Sequence, residues 1–288
     1  MKKLLFYSLF LIILVSCDNR ERLVNKNLLN GFDFRLFQNT QVWELAKAVQ
    51  DQDTTLIKSL AMKYPNQIDY QESKFGESLL MLSVLNNLYN STNTLLKLGA
   101  NANLHDRYKG STPVIEAAKY NNNADIMKLL LKYGGDSNST DNAPTKNDSS
   151  YSDIRNFALL EASMNNIDLV KTLIKNGANV NQTAKPNGDG ALENSLIQEK
   201  YDISLFLLQN GADYKKKVKL FTCTVDMLYL LKNVDLGIDT KKYIEKMKVV
   251  EFLQAKGLDY WNYPIPDKIV EDAKKNYPEQ WKEHLHKY

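Results

Sequence analysis

Asn176-Gly177-Ala178-Asn179-Val180-Asn181 decides the fold, because it recurs. Leu98-Gly99-Ala100-Asn101-Ala102-Asn103 comes first, and Lys132-Tyr133-Gly134-Gly135-Asp136-Ser137-Asn138 stands between the two. Asn210-Gly211-Ala212-Asp213-Tyr214 and Lys256-Gly257-Leu258-Asp259-Tyr260 follow. A leucine-rich stretch with helical spacing precedes each copy. Self-similarity at this period marks a stacked array, in which each unit buries its apolar face only against its neighbours. The expected fold is an all-α solenoid of helix-turn-helix units joined by short hairpin loops. Arrays of this kind present extended surfaces and serve mainly for binding.

Working outward, the first unit is Thr40 to Tyr70. One helix covers Trp43 to Val49, and a second, capped by Asp53, covers Leu56 to Met62 and stops at Pro65. Tyr64-Pro65-Asn66 replaces the Gly-Ala turn, as expected of a terminal unit with a modified outer face. The second unit opens at Phe75-Gly76-Glu77-Ser78. The third opens at Lys109-Gly110-Ser111-Thr112-Pro113-Val114-Ile115-Glu116-Ala117-Ala118. The fourth runs from Phe157 to Asn181, and the fifth holds Gly190 to Ser195 with Ile203 to Leu208. A degenerate sixth contains Asp226 to Leu231 and Gly237, and a seventh contains Met247 to Leu253 and Gly257.

These motifs resemble the ankyrin repeat, whose first helix opens Gly-x-Thr-Pro-Leu-His-x-Ala-Ala and whose second ends Leu-Leu-x-x-Gly-Ala-Asp-x-Asn. Physical reasons support the match. Thr112 can cap a helix and Pro113 suits its first turn, where a missing N–H costs nothing. Ala117 and Ala118 let inner helices approach, and Leu129, Leu130 and Leu131 fill the space between units. Gly134 can end the outer helix in a left-handed conformation. The chain departs from the family at Ile115, Leu160 and Asn194, where His is frequent. The array is expected over residues 40–263, with about six to seven units, and residues 264–288 as a C-terminal helical cap, with Trp261 and Trp281 as packing residues. The stretch from Ser137 to Ser152 reads as a flexible inserted loop, either on the binding face or a tolerated elaboration.

The N-terminus reads differently. Lys2 and Lys3 precede an apolar run from Leu4 to Val15, which is too short to span a bilayer as a helix. The run ends Leu14-Val15-Ser16-Cys17 and resembles the bacterial lipoprotein signal. That resemblance implies cleavage before Cys17, lipidation of Cys17 and a place in the cell envelope, in either membrane. Residues 18–39 are polar at first and are expected to be a tether. With Cys17 acylated, Cys223 is the sole remaining cysteine, which excludes an intramolecular disulfide. Among apolar neighbours Cys223 reads as a small buried hydrophobe or, alternatively, a reactive thiol.

The formal charge of +3 falls to +1 without Lys2 and Lys3, leaving 35 basic against 34 acidic side chains. No concentrated basic face of the kind that binds nucleic acid is visible. Lys215-Lys216-Lys217 is a short run, read as a solvated loop or a contact for an acidic partner. Neither a phosphate-binding loop, a dinucleotide fingerprint nor a nucleophile elbow occurs. His284 and His286 read as a solvated tail rather than a metal site, and no cofactor, metal or catalytic residue is expected.

The resemblance implies that a protein partner is held by hairpin tips and exposed inner-helix faces. Matching positions are His105, Arg107 and Tyr108 at one tip, Gln182, Lys185 and Asn187 at another, and Tyr214 and Lys215 at a third. Glu116, Lys119 and Tyr120 are the inner-helix candidates. The partner could be an envelope protein organised by a scaffold or a secreted antibacterial toxin neutralised by an immunity protein. An enzyme with a degenerate C-terminal domain is the reading from a different class.

Overall fold

The structure is a computed structural model and describes residues 20–120, 123–142, 155–164, 166–184, 188–220, 223–238 and 240–287. Six helix pairs follow one another among these residues. They are α1 (Trp43–Gln50) with α2 (Thr54–Lys63), α3 (Leu79–Leu85) with α4 (Tyr89–Lys97), and α5 (Pro113–Tyr120) with α6 (Ala124–Lys132). They continue with α7 (Ala158–Ala162) and α8 (Ile167–Lys175), α9 (Ala191–Ile197) and α10 (Tyr201–Gln209), and α11 (Met227–Lys232) and α12 (Lys241–Ala255). Inner helix packs on inner helix and outer on outer, so the core is one apolar seam running the length of the stack.

Local chemistry sets each boundary. Asp53 accepts N–H bonds from Thr55 and Leu56, Ser78 accepts from Met81, and Asn123 and Asn166 do the same for α6 and α8. At the far end, Ala178 N–H donates to Leu173 and Gly177 N–H to Ile174, the paired closing bonds of a helix that ends in a left-handed residue. Gly177 has φ +84°, and open space surrounds it, so glycine is demanded there by backbone conformation rather than by crowding. Buried hydroxyls tie inner to outer helix in two units, Ser83 to Thr92 at 2.9 Å and Ser195 to Ser204 at 2.8 Å.

In three turns the asparagine four residues after the turn glycine reaches across to the next unit. Asn103 donates from Nδ2 to Gly134 O and accepts from Asp136 N–H. Asn138 makes the same two bonds to Gly177 O and Asn179 N–H, and Asn181 makes them to Gly211 O and Asp213 N–H. Asp69, a carboxylate without a donor, makes only the accepting half, from Asn101 N–H. Lys215 stands where the next asparagine would be, and the clamp ends there.

Three sequence expectations need correction. Residues 20–39 are not a free tether: Phe34, Leu36 and Phe37 are buried against the first pair. Arg20 pairs with Asp51 and Glu21 with Lys47, each at 2.6 Å, while Lys74 donates to the carbonyls of Asn27 and Leu29. In this position the segment covers apolar surface of the first pair. Secondly, the degenerate sixth and seventh units are one. Gly237 ends no helix; α11 packs on α9 and the 15-residue α12 on α10, and Thr240 caps α12 while Gly257 closes it at φ +90°. A hairpin of β1 (Val218–Leu220) and β2 (Cys223–Val225) precedes that pair, and the side chain of Cys223 lies outside the described residues. Thirdly, the tail histidine His284 is buried: its Nε2 lies 2.9 Å from Asp235 Oδ1 and its ring stacks on Tyr277.

The closing helices α13 (Asp267–Asn276) and α14 (Trp281–His286) bury Ile269, Ala273 and His284. Trp281 is half-buried, but Trp261 is largely exposed and Tyr260 beside it is the packed ring, with Lys232 Nζ 4.2 Å from its centroid. Of the inserted loop, Thr140 pairs with Phe157 and Asn142 N–H donates to Gly110 O, whereas residues 143–154 lie outside the described residues. The apolar leader and Cys17 lie outside them too. No described helix is long and apolar enough to cross a membrane.

Replacing Asn138 by Ala removes both clamping bonds from the Gly177 turn. Because the bonds are solvent-exposed, the expected loss is ~1 kcal/mol in urea denaturation. Hydrogen exchange should quicken selectively at Asn179, and an unchanged rate there would refute the clamp.

Candidate functional site

The hairpin tips of the second and third units are built around carboxylates. Glu72 is fully buried and accepts N–H bonds from Lys74, Phe75 and Glu77. Asp106, 8% exposed, accepts from Tyr108, Lys109, Gly110 and Ser111. Each acid substitutes for water in satisfying a turn's amides, as buried polar groups require. The two tips are then locked together. Arg107 N–H donates to Phe75 O, and its guanidinium donates to the carbonyls of Gln71 and Glu72. Gly76 sits at φ +72°, and a Cβ there would lie 2.5 Å from Arg107 Cβ, so the interlock excludes any side chain at that position.

Between these tips and the inner helices α3 and α5 lies a cavity of about 100 Å³. Its walls are aromatic. Phe32 meets Tyr120 edge-to-face at 5.7 Å, and Phe75 meets Tyr108 likewise at 5.5 Å. Met81 and Leu85 supply the apolar base. Glu77, Asp106 and Glu116 supply the charge, with Lys109 as the cation among the lining residues. Tyr108, Tyr120 and Phe32 are 64%, 48% and 40% exposed, a concentration of solvent-facing rings in one place. Burial, reinforced by the charges of Glu72, Asp106 and Glu116, pushes the Glu77 carboxyl up to about 8, with Lys109 opposing. Burial also raises Glu116, while Lys109 and Lys119 pull it down.

Of the residues named from sequence, the structure gathers Tyr108, Glu116 and Tyr120 here. Lys119 lies beside Tyr120 and 3.8 Å from Glu161. His105 bonds through Nδ1 to Gly110 O inside its own hairpin, and Arg107, an exposed residue, is also the interlock. Gln182 bridges to Asn138 O, and Tyr214 packs half-buried against the core with Lys215 over its ring. Lys216 is tied to Glu193 and Gly188 O, so the lysine run is only partly solvated. Lys185 and Asn187 lie outside the described residues. Phe32, Phe75 and Glu77 were not foreseen as site residues. Phe75-Gly76 in a tip was the available signal, whereas nothing local connects Phe32 with a cavity wall some forty residues on.

No group of three or more His, Cys, Asp or Glu with metal-holding geometry occurs among the described residues. Comparison with known families finds ankyrin repeats, three copies over residues 45–141 and a further ankyrin repeat over 155–185. The crystal structure of the human ASB11 ankyrin repeat domain is similar, with a TM-score of 0.53 and 16% sequence identity. That likeness covers 77% of this chain and 87% of the other. The chain is therefore an all-α ankyrin-repeat solenoid, a fold that generally serves protein–protein interaction.

The Glu77 assignment has a pH signature. A carboxyl raised from 4.5 to about 8 on folding makes the folded state bind the extra proton in that window. Glu77 therefore costs stability increasingly as pH rises through it, and the cost is complete above pH 8. Glu77→Gln should raise the urea midpoint little at pH 4.5 and most above pH 8; a pH-independent difference would contradict the burial argument.

Proposed function

We propose that this chain is a lipid-anchored binding protein of the bacterial envelope, which holds a protein partner against the tips and inner helices of its second and third units. The observation that carries the reading is the convergence of Tyr108, Tyr120 and Phe32, all substantially exposed, on one cavity. Tyrosine is among the types that anchor interfaces, and exposed rings rimmed by charge are costly to keep in water without a use. The anchoring half rests on Lys2, Lys3, the apolar run and Leu14-Val15-Ser16-Cys17. Arg20 already packs on Asp51, so only Asp18 and Asn19 lie between Cys17 and the folded body, a span of about 10 Å when extended. The array thus rides close to the bilayer, and its partner is a membrane-proximal protein.

Affinity capture from solubilised envelopes tests both halves. The wild-type chain should retain a defined partner, and Tyr108→Ala with Tyr120→Ala should lose it while the helical signal persists. Cys17→Ser should move the chain from the membrane to the soluble fraction. Undiminished capture by the double tyrosine variant would remove the proposed face.

A further inference from the structure

The cavity between the second and third units has a composition that singles out one kind of guest. Its walls are the rings of Phe32, Phe75, Tyr108 and Tyr120, and ring faces attract a cation through the aromatic quadrupole. Its charge is acidic in excess: Glu77 and Glu116 line it, Asp106 stands in the adjoining tip and Glu72 lies behind. Lys109 lines the cavity too, with Nζ 5.8 Å from the Tyr120 centroid, and Lys74 Nζ lies 4.5 Å from the Phe75 centroid. Glu77 has a buried Oε2 that meets no hydrogen-bond donor, although the residue faces a cavity. A buried acceptor without a donor is costly in a finished protein, and a donor arriving from outside would remove the cost.

We propose that this cavity receives a lysine side chain of the protein partner, its ammonium enclosed by the four rings and opposed by Glu77 and Glu116. The inference deepens the reading of this face as the partner-binding one and rests on it. Lysine fits better than arginine for two reasons. About 100 Å³ holds roughly three waters, enough for a compact ammonium and the end of its stem. The two carboxylates come from different units, Glu77 beside the second tip and Glu116 from α5, rather than forming the single flat fork that a guanidinium matches. The raised Glu77 carboxyl agrees with this arrangement: the empty cavity favours its neutral form, and a cationic guest would favour its ionised form. Groups that share in that titration are Glu72 and Asp106 in the tips, Glu116 and Lys119 on α5, and Lys109.

Met81 lines the cavity, which provides a reporter. The full chain, labelled with 13C-methyl methionine in detergent micelles, is titrated with the blocked peptide Gly-Gly-Lys-Gly-Gly and with its norleucine and arginine analogues. The Met81 methyl signal should move with the lysine peptide, with Met127 in α6 as the unmoved control for folding. Norleucine should bind about tenfold more weakly, having lost the charge. Lysine binding should tighten from pH 6 to pH 9, because the guest remains cationic while Glu77 ionises. Glu77→Gln alone should weaken it about tenfold and remove the pH dependence; its fold is not at risk, since an unfavourable buried charge is being removed.

Equal binding of norleucine, or no shift at Met81, would overturn the proposal. Tighter binding of the arginine peptide would overturn the choice of lysine. Failure here combined with loss of capture in the tyrosine variants would leave the partner-binding face standing. Peptide binding combined with undiminished capture would instead reject that face as the partner's site.

Discussion

Each helix pair of this chain carries an apolar side that it cannot cover alone, and at three successive turns an asparagine fixes where the covering pair must sit. A side-chain amide both donates and accepts, so Asn103, Asn138 and Asn181 each seize a carbonyl and an N–H of the following turn. Two bonds of opposite polarity from one planar group set register as well as distance. The apolar seam supplies most of the stabilisation, since exposed hydrogen bonds add only ~1 kcal/mol each. The clamp decides which of several similar packings that seam adopts. Its limits coincide with the limits of regular structure. Asp69 makes half a clamp next to the atypical first pair. Past Lys215, the chain turns into a β-hairpin, an elongated outer helix and the closing pair.

The same regularity places the site. Glu72 and Asp106 occupy corresponding roles at adjacent tips, each gathering several backbone amides. Acidity in this region is thus a by-product of how the tips are built, and Glu77 and Glu116 add to it. Arg107 and Gly76 then hold the two tips in contact, which keeps the aromatic rings of Phe75 and Tyr108 together. A rigid frame with few adjustable parts loses little entropy when a partner docks, the condition under which exposed rings become effective anchors.

The turns, the helix pairs and their order were legible in the chain because glycine, proline and capping residues act locally. Gly177 must be glycine for its own φ, and Asp53 caps the helix that begins beside it. What escaped sequence reading was long-range. Phe34, Leu36 and Phe37 sit within a polar stretch whose spacing gives no repeat signal, and only the uncovered first pair explains their burial. Gly237 imitates a turn glycine, yet no helix ends on it. Arg107 has the residue type of an interface anchor but spends its guanidinium on two neighbouring carbonyls. Tyr108, Tyr120 and Glu116 lie together because inner-helix and tip positions project to one side in a stacked array. Phe32 could join them only once the N-terminal segment had folded back.

The most direct measurement is hydrogen exchange of the chain alone and in complex with its captured partner. Slowed exchange confined to the amides of 75–82 and 106–120, with 89–97 and 124–132 unchanged, is the result expected if the partner lies over the second and third tips and inner helices. Protection of the outer helices or of the hairpin at 218–225, with 106–120 unaffected, would contradict it.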